Sequence, residues 1–205
     1  MSLEKYKQII PEDFSKEADL IDCVIKEIGL EKDMKILDIG TGFGAMSILL
    51  ALNGFAVFTG QPEHDPEWEE LADSNHQHGH SDQHKHEFPI SEWKENAKAL
   101  GVSDKITFQF LNAEELHFDA ETFEAIFLYD ALQHIEKRAP VLNECLRVLK
   151  TKGVIEWNKE SIKKDEEKYG IKIDYIDPNE IINRNDITIE LISGNFVNIF
   201  NIKKI

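Results

Sequence analysis

Residues 34–44, Met34-Lys-Ile-Leu-Asp-Ile-Gly-Thr-Gly-Phe-Gly44, narrow the folds open to this chain more than any other stretch. A short apolar run carries Asp38, glycines follow at 40, 42 and 44, and a helical pattern begins at Ala45. That order predicts a buried strand, a tight turn and a helix start. Glycine lets backbone approach a ligand where a Cβ would collide. A turn of this kind between a strand and a helix is the geometry of a nucleotide-type cofactor site. The spacing is G-x-G-x-G and not the G-x-G-x-x-G of nicotinamide enzymes, which disfavours that class.

The remaining chain alternates helix and strand signals. Leu20, Ile21, Val24, Ile25 and Ile28 follow helical spacing within 13–29, with Gly29 as the stop. Strands are predicted at 35–38, 56–59, 106–111, 123–129 and 153–157, and helices at 45–53 and 141–149. A further helix starts at Ser91, turns Trp93, Ala97 and Leu100 inward, and stops at Gly101. The near-continuous apolar run of the fourth strand suits a strand buried on both faces. Residues 158–169 are highly charged and read as a solvated helix or loop. Residues 187–192 and 196–202, joined by Ser193-Gly194-Asn195, read as a hairpin. The expected architecture is α/β: a doubly wound, mostly parallel seven-stranded sheet with a C-terminal antiparallel hairpin. Ligands of such sheets sit at the carboxyl ends of the strands, where the glycine turn would lie.

A length of 205 residues with 41% hydrophobic content fits one domain, residues 1–205, with a real core. The net charge of −16 repels phosphate backbones and anionic bilayers, so neither nucleic acid nor membrane is expected as a partner. No window approaches a transmembrane span, and residues 1–14 lack the apolar run of a signal peptide. Cys23 and Cys145 fall in amphipathic patterns and read as reduced core thiols of a cytoplasmic protein. Oligomeric state is not legible.

Five ordered stretches carry a resemblance. The glycine turn is similar to (L/V)-D-x-G-x-G-x-G. Residues 111–118 (LNAEELHF) are similar to G-D-A-E-x-L-P-F, residues 123–135 (FEAIFLYDALQHI) to F-D-x-V-x-x-x-x-x-L-x-H-I, and residues 144–153 (ECLRVLKTKG) to E-x-x-R-V-L-K-P-G-G. The terminal hairpin is the fifth. Together they resemble the class I S-adenosylmethionine-dependent methyltransferases, of the type 11-like, small-molecule kind, over residues 34–157 and with compatible elements on both sides. The resemblance implies a Rossmann-like methyltransferase fold, S-adenosylmethionine as cofactor, and a small-molecule acceptor.

It also implies site residues. Gly40, Thr41, Gly42 and Gly44 bring backbone to the methionine portion of the cofactor, and Asp38 supplies a carboxylate to its cationic end. The alternative for Asp38 is a carboxylate that only holds the loop. Relatives end the second strand with Asp or Glu for the ribose; here the position is Gln61, with Glu63 two residues on and on the same side of an extended chain. Asn112 stands where Asp commonly meets the adenine amino group, Ala113 offers backbone N–H, and Glu114 lies in the same turn. Leu128, Tyr129 and Asp130 end the fourth strand beside the reactive methyl. The order Leu-Tyr-Asp-Ala departs from (N/D)-P-P-(Y/F), which disfavours planar amides and adenines as acceptors. Tyr129, Asp130 and His134 are the candidate catalytic residues. His134 is either a general base or a packed histidine that fixes the loop.

The family pattern does not predict residues 64–90. Six of the eight histidines fall there, and His76, His78 and His80 alternate, as do His84 and His86. Alternating imidazoles point to one side of an extended segment and can hold nickel, zinc, copper or cobalt. The insertion reads either as a transition-metal site or as a solvated polar tract. The first of these opens a rival reading of the chain, a metal-binding or regulatory module on the same fold.

Overall fold

The computed structural model describes residues 3–62, 90–129, 131–132, 135, 137–158, 182, 184–193 and 198–204. The strands are β1 (Lys35–Ile39), β2 (Ala56–Gln61), β3 (Ile106–Phe110), β4 (Phe123–Leu128), β5 (Leu149–Asn158), β6 (Ile187–Ser193) and β7 (Asn198–Lys204). They form one sheet in the order β3-β2-β1-β4-β5-β7-β6. Strands β1 to β5 pair in parallel, and β7 runs antiparallel to both β5 and β6. The expected mostly parallel sheet with a terminal hairpin is therefore present, and the hairpin continues the sheet through β7. The chain moves outward from β1 to β3 and then restarts at β4 on the other side of β1. That reversal creates the crevice at which doubly wound sheets bind ligands.

The helices are α1 (Leu3–Lys7), α2 (Glu12–Glu27), α3 (Ala45–Leu52), α4 (Ile90–Ala99) and α5 (Arg138–Val148). Helix α1 has no counterpart in the sequence reading, because five residues are too few to show a period. Helix α5 begins three residues before the expected Val141, and β5 follows it directly instead of waiting for Gly153. Gly29, with φ of 74°, ends the second helix region in the left-handed conformation.

Two cores flank the sheet. One gathers Ile21, Ile25, Ile48, Leu50, Trp93 and Phe127 beneath α1 to α4. The other gathers Leu37, Ile126, Leu128, Leu142, Leu146 and Phe200 beneath α5. Strand β4 feeds both, as its apolar run requires. Phe123 has the parity of Ala125 and Phe127 but packs in the opposite core. The β4–β5 register shifts at the same place: the two-residue step from Phe123 to Ala125 faces the five-residue step from Leu149 to Val154. The cysteine expectation is half right: Cys145 is buried, but Cys23 is exposed and bonds Glu27 at 3.5 Å. Among the described residues no helix is long and apolar enough to cross a membrane.

Candidate functional site

The glycine turn leaves β1 where the crevice opens. Gly40, Gly42 and Gly44 all have positive φ. The Gly40 N–H donates to Gly60 O of β2 at 2.9 Å, and the Gly44 N–H donates to Thr41 O at 2.7 Å. A Cβ on Gly44 would stand 2.7 Å from Trp93 Cβ, so α4 packs directly onto the start of α3. Residue 44 thus requires glycine for both its backbone conformation and its closest neighbour.

Four polar side chains lie buried beneath the turn: Asp38, Thr41, Ser47 and Thr59. Each threonine and serine hydroxyl has one proton to give. Ser47 donates to Asp38 Oδ2. Thr59 donates to the same oxygen at 3.0 Å, which leaves Thr41 to donate to Thr59 at 2.9 Å. All three hydroxyl dipoles therefore run toward one oxygen. The other, Asp38 Oδ1, is buried with no hydrogen-bond partner among the described residues. Burial pushes the Asp38 carboxyl up to about 7, against the opposing pull of the Ser47 and Thr59 bonds. The sequence reading named Asp38 and Thr41 but missed Ser47 and Thr59. The signal was present: each is a lone hydroxyl in an apolar element, and a buried hydroxyl needs a partner.

Gln61, at the end of β2, turns its side chain back and accepts the Gly42 N–H on Oε1 at 3.2 Å. Beyond β3, Asn112 Oδ1 accepts the Glu114 N–H at 2.9 Å, and its backbone carbonyl accepts the Glu115 N–H at 3.1 Å. That side chain closes a local turn on itself. Ala113 is buried, and the Glu114 carboxylate pairs with Lys137 at 3.1 Å.

The loop that follows is held from α5. Arg147 donates to Leu116 O at 2.7 Å and to Phe118 O at 2.8 Å. It also grips both oxygens of Glu144, at 2.8 and 2.7 Å, and Glu144 accepts the Leu116 N–H at 2.8 Å. The Arg147 bonds hold the Glu144 carboxyl below its usual range. The E-x-x-R pair of the sequence is thus a clamp that positions residues 111–118 beside the turn.

At the end of β4, Leu128 is buried and Tyr129 half-buried. Asp38 and Phe127 are in register, so Tyr129 stands level with Gly40, one strand away. The Tyr129 hydroxyl donates to Glu17 of α2 at 2.5 Å, and its ring meets Phe14 edge-on at 4.6 Å. Tyr6 of α1 donates to Ala45 O at 2.7 Å, at the first residue after the glycine turn. The N-terminal helices thus reach the start of α3 and the end of β4. Glu17 was not singled out in the sequence, although it sits three residues after Phe14 on the apolar stripe of α2.

Asp38, the glycine turn, Gln61, residues 112–114, Leu128 and Tyr129 therefore collect at one end of the sheet. Glu63, Asp130, His134 and the histidines at 76, 78, 80, 84 and 86 lie outside the described residues. Among the described residues, no group of three or more His, Cys, Asp or Glu side chains gathers as a metal site.

A solved protein from Pyrococcus horikoshii superposes with a TM-score of 0.64 at 18% identity, covering 98% of this chain and 95% of that one. A methyltransferase from Aquifex aeolicus described as SAM-dependent superposes at 0.57 and 16% identity, covering 98% and 97%. Likenesses this distant show the fold alone. In sequence, the chain is 28% identical over 134 residues to a sterol 24-C-methyltransferase of Neurospora crassa, covering 64% of this chain but only 30% of that enzyme. The family model described as a methyltransferase domain matches residues 37–156, which run from β1 through the glycine turn to β5. With more than half of its length under that match and the turn at the β1–β4 crevice, the chain belongs to the methyltransferase-domain family.

Proposed function

We propose that this chain transfers the methyl group of S-adenosylmethionine to a small-molecule acceptor. The observation that carries the reading is the glycine turn at the β1–β4 crevice with a buried carboxylate oxygen, Asp38 Oδ1, left without a donor beneath it. A buried polar atom without a partner is costly, and a ligand ammonium is a donor of the right charge. The residues present therefore fit the cofactor. The turn backbone holds its methionine portion, Asp38 attracts the ammonium, Gln61 faces the ribose, and residues 112–114 border the adenine. Tyr129 covers the reactive end, where the bound cofactor supplies an already activated methyl group. The protein's own part is positioning and exclusion of water.

Calorimetry with S-adenosylhomocysteine in the presence of a chelator tests this reading. Binding in the micromolar range is the expected result. Absence of binding, or binding that requires nickel or zinc, overturns it and favours the metal module.

Gln61 refines the test. Its carbonyl is engaged with Gly42, so it offers the ribose an amide donor and no second charged acceptor. Gln61→Glu keeps the bond to Gly42 and adds a free carboxylate oxygen. Affinity for S-adenosylhomocysteine is expected to rise about tenfold, the worth of one charge-assisted hydrogen bond. An unchanged or weaker affinity would place the ribose elsewhere.

A further inference from the structure

Seven polar or charged side chains are buried among the described residues, and four of them gather beneath the glycine turn: Asp38, Thr41, Ser47 and Thr59. They come from separate parts of the chain, namely β1, the turn, α3 and β2. Asp38 and Thr59 are register partners on neighbouring parallel strands. Thr59 Oγ1 is the junction of the group. It accepts from Thr41 at 2.9 Å and donates to Asp38 Oδ2 at 3.0 Å, so its one proton is committed to the carboxylate. Ser47 supplies the second donor to the same oxygen.

Packing does not account for a threonine at this place. Valine has nearly the same shape, suits a strand equally well and needs no hydrogen-bond partner. The network also leaves Asp38 Oδ1 unpaired among the described residues, a cost that apolar side chains would not carry.

We propose that Thr59 is a positioning residue for the ammonium of the cofactor: it pins one oxygen of Asp38 and leaves the other for the ligand. This rests on the methyl-transfer reading above. The last torsion of an aspartate side chain is broad and soft. Donors from two elements, β2 and α3, fix it by holding the same oxygen. The protons of Ser47, Thr59 and Thr41 all run toward Oδ2, so no hydroxyl of the group competes for Oδ1. An ammonium, with its three N–H donors and its charge, matches a carboxylate oxygen kept in this way, and a hydrogen in its place gains nothing from it. Thr41 lies inside the turn, and its bond to Thr59 ties the turn to the carboxylate beneath it. Thr59 thus acts on the ligand through Asp38.

Calorimetry tests this by comparing S-adenosylhomocysteine with its deamino analogue, in which hydrogen replaces the amino group. The wild-type protein is expected to prefer S-adenosylhomocysteine at least about 30-fold. Thr59→Val is expected to shrink that preference at least about fivefold by weakening S-adenosylhomocysteine alone, and Thr59→Ser to restore it. Ser47→Ala removes the other donor and is expected to act in the same direction, which keeps the test open if Thr59→Val does not fold. Thermal melts report the folding of each variant. A damaged turn would weaken both ligands alike, so equal losses overturn the inference. So does a preference that Thr59→Val leaves unchanged, or a wild-type protein that binds the two ligands equally. Each of these failures leaves the methyl-transfer reading standing, because S-adenosylhomocysteine still binds. A wild-type protein that binds neither ligand overturns both.

Discussion

Asp38→Asn is expected to weaken S-adenosylhomocysteine binding about 10- to 100-fold while flattening the protein's loss of stability above pH 5. Both effects come from one carboxylate. Its folded value is raised by burial to about 7 from an ordinary 3.8. The folded protein therefore holds a proton that the unfolded chain has released, from about pH 4 to about pH 7. In that window the folded state binds more protons, so stability falls as pH rises and levels off above 7. The whole shift corresponds to about 4 kcal/mol, of which about 2 kcal/mol falls between pH 5 and 7.

Asparagine carries no such charge, so this slope should vanish in urea titrations at pH 5, 6, 7 and 8. The amide can still accept from Ser47 and Thr59 through its carbonyl. Its NH2 then occupies the place of Oδ1 and turns a donor toward the cofactor's ammonium, which is the source of the binding loss. Burial, with the Asp38 charge second, raises the Tyr6 phenol well above its usual value. A variant with wild-type affinity would show that Asp38 only supports the turn. A variant with an unchanged pH slope would show that Asp38 is ionised throughout.

The strand–turn–helix at 34–52 was legible because three independent signals coincide there: apolar run, glycines and helical period. The mostly parallel sheet with its terminal hairpin was legible for a related reason, since alternating elements and a closing hairpin leave few topologies open. What escaped was the contact that a periodic pattern cannot encode. Ser47 and Thr59 are unremarkable alone and acquire meaning only when β1, β2 and α3 bring them to Asp38. Glu17 and Tyr129 are 112 residues apart in sequence, and nothing local announces their bond. Cys23 misled for the converse reason: it lies beside the apolar stripe of α2, and a helix pattern blurs the margin of its buried face.

Gly60 is a position where sequence gave a usable hint that was not taken up: a glycine inside a strand commonly marks a close backbone approach. Gly60→Ala is expected to destabilise the protein by about 3 kcal/mol, the upper range for overpacking a rigid site. General arguments point the other way, because alanine in place of glycine at a compatible backbone stabilises by about 0.4–1 kcal/mol through the unfolded chain. The neighbours decide the sign. A Cβ at residue 60 would stand 2.2 Å from Gln109 O and 2.5 Å from Leu111 Cδ2. Leucine can rotate, but Gln109 is the register partner of Gly60 in the β2–β3 ladder, and its carbonyl cannot retreat without opening that pairing. The strain then reaches the site. Gly60 O holds the Gly40 N–H, and the next residue, Gln61, holds both the Leu111 N–H and the Gly42 N–H. Any sideways movement of β2 shifts the glycine turn and the ribose edge together, so S-adenosylhomocysteine affinity should fall along with the urea midpoint. Gly29→Ala supplies the comparison: its φ of 74° is unsuited to alanine, unlike the backbone at Gly60, yet among the described residues no atom lies within 4 Å of the added Cβ. Only the left-handed strain of about 1–2 kcal/mol applies there, with no loss of binding. If the two variants melt alike, β2 and β3 can part at Gly60 without cost, and the turn is not braced by the strand behind it.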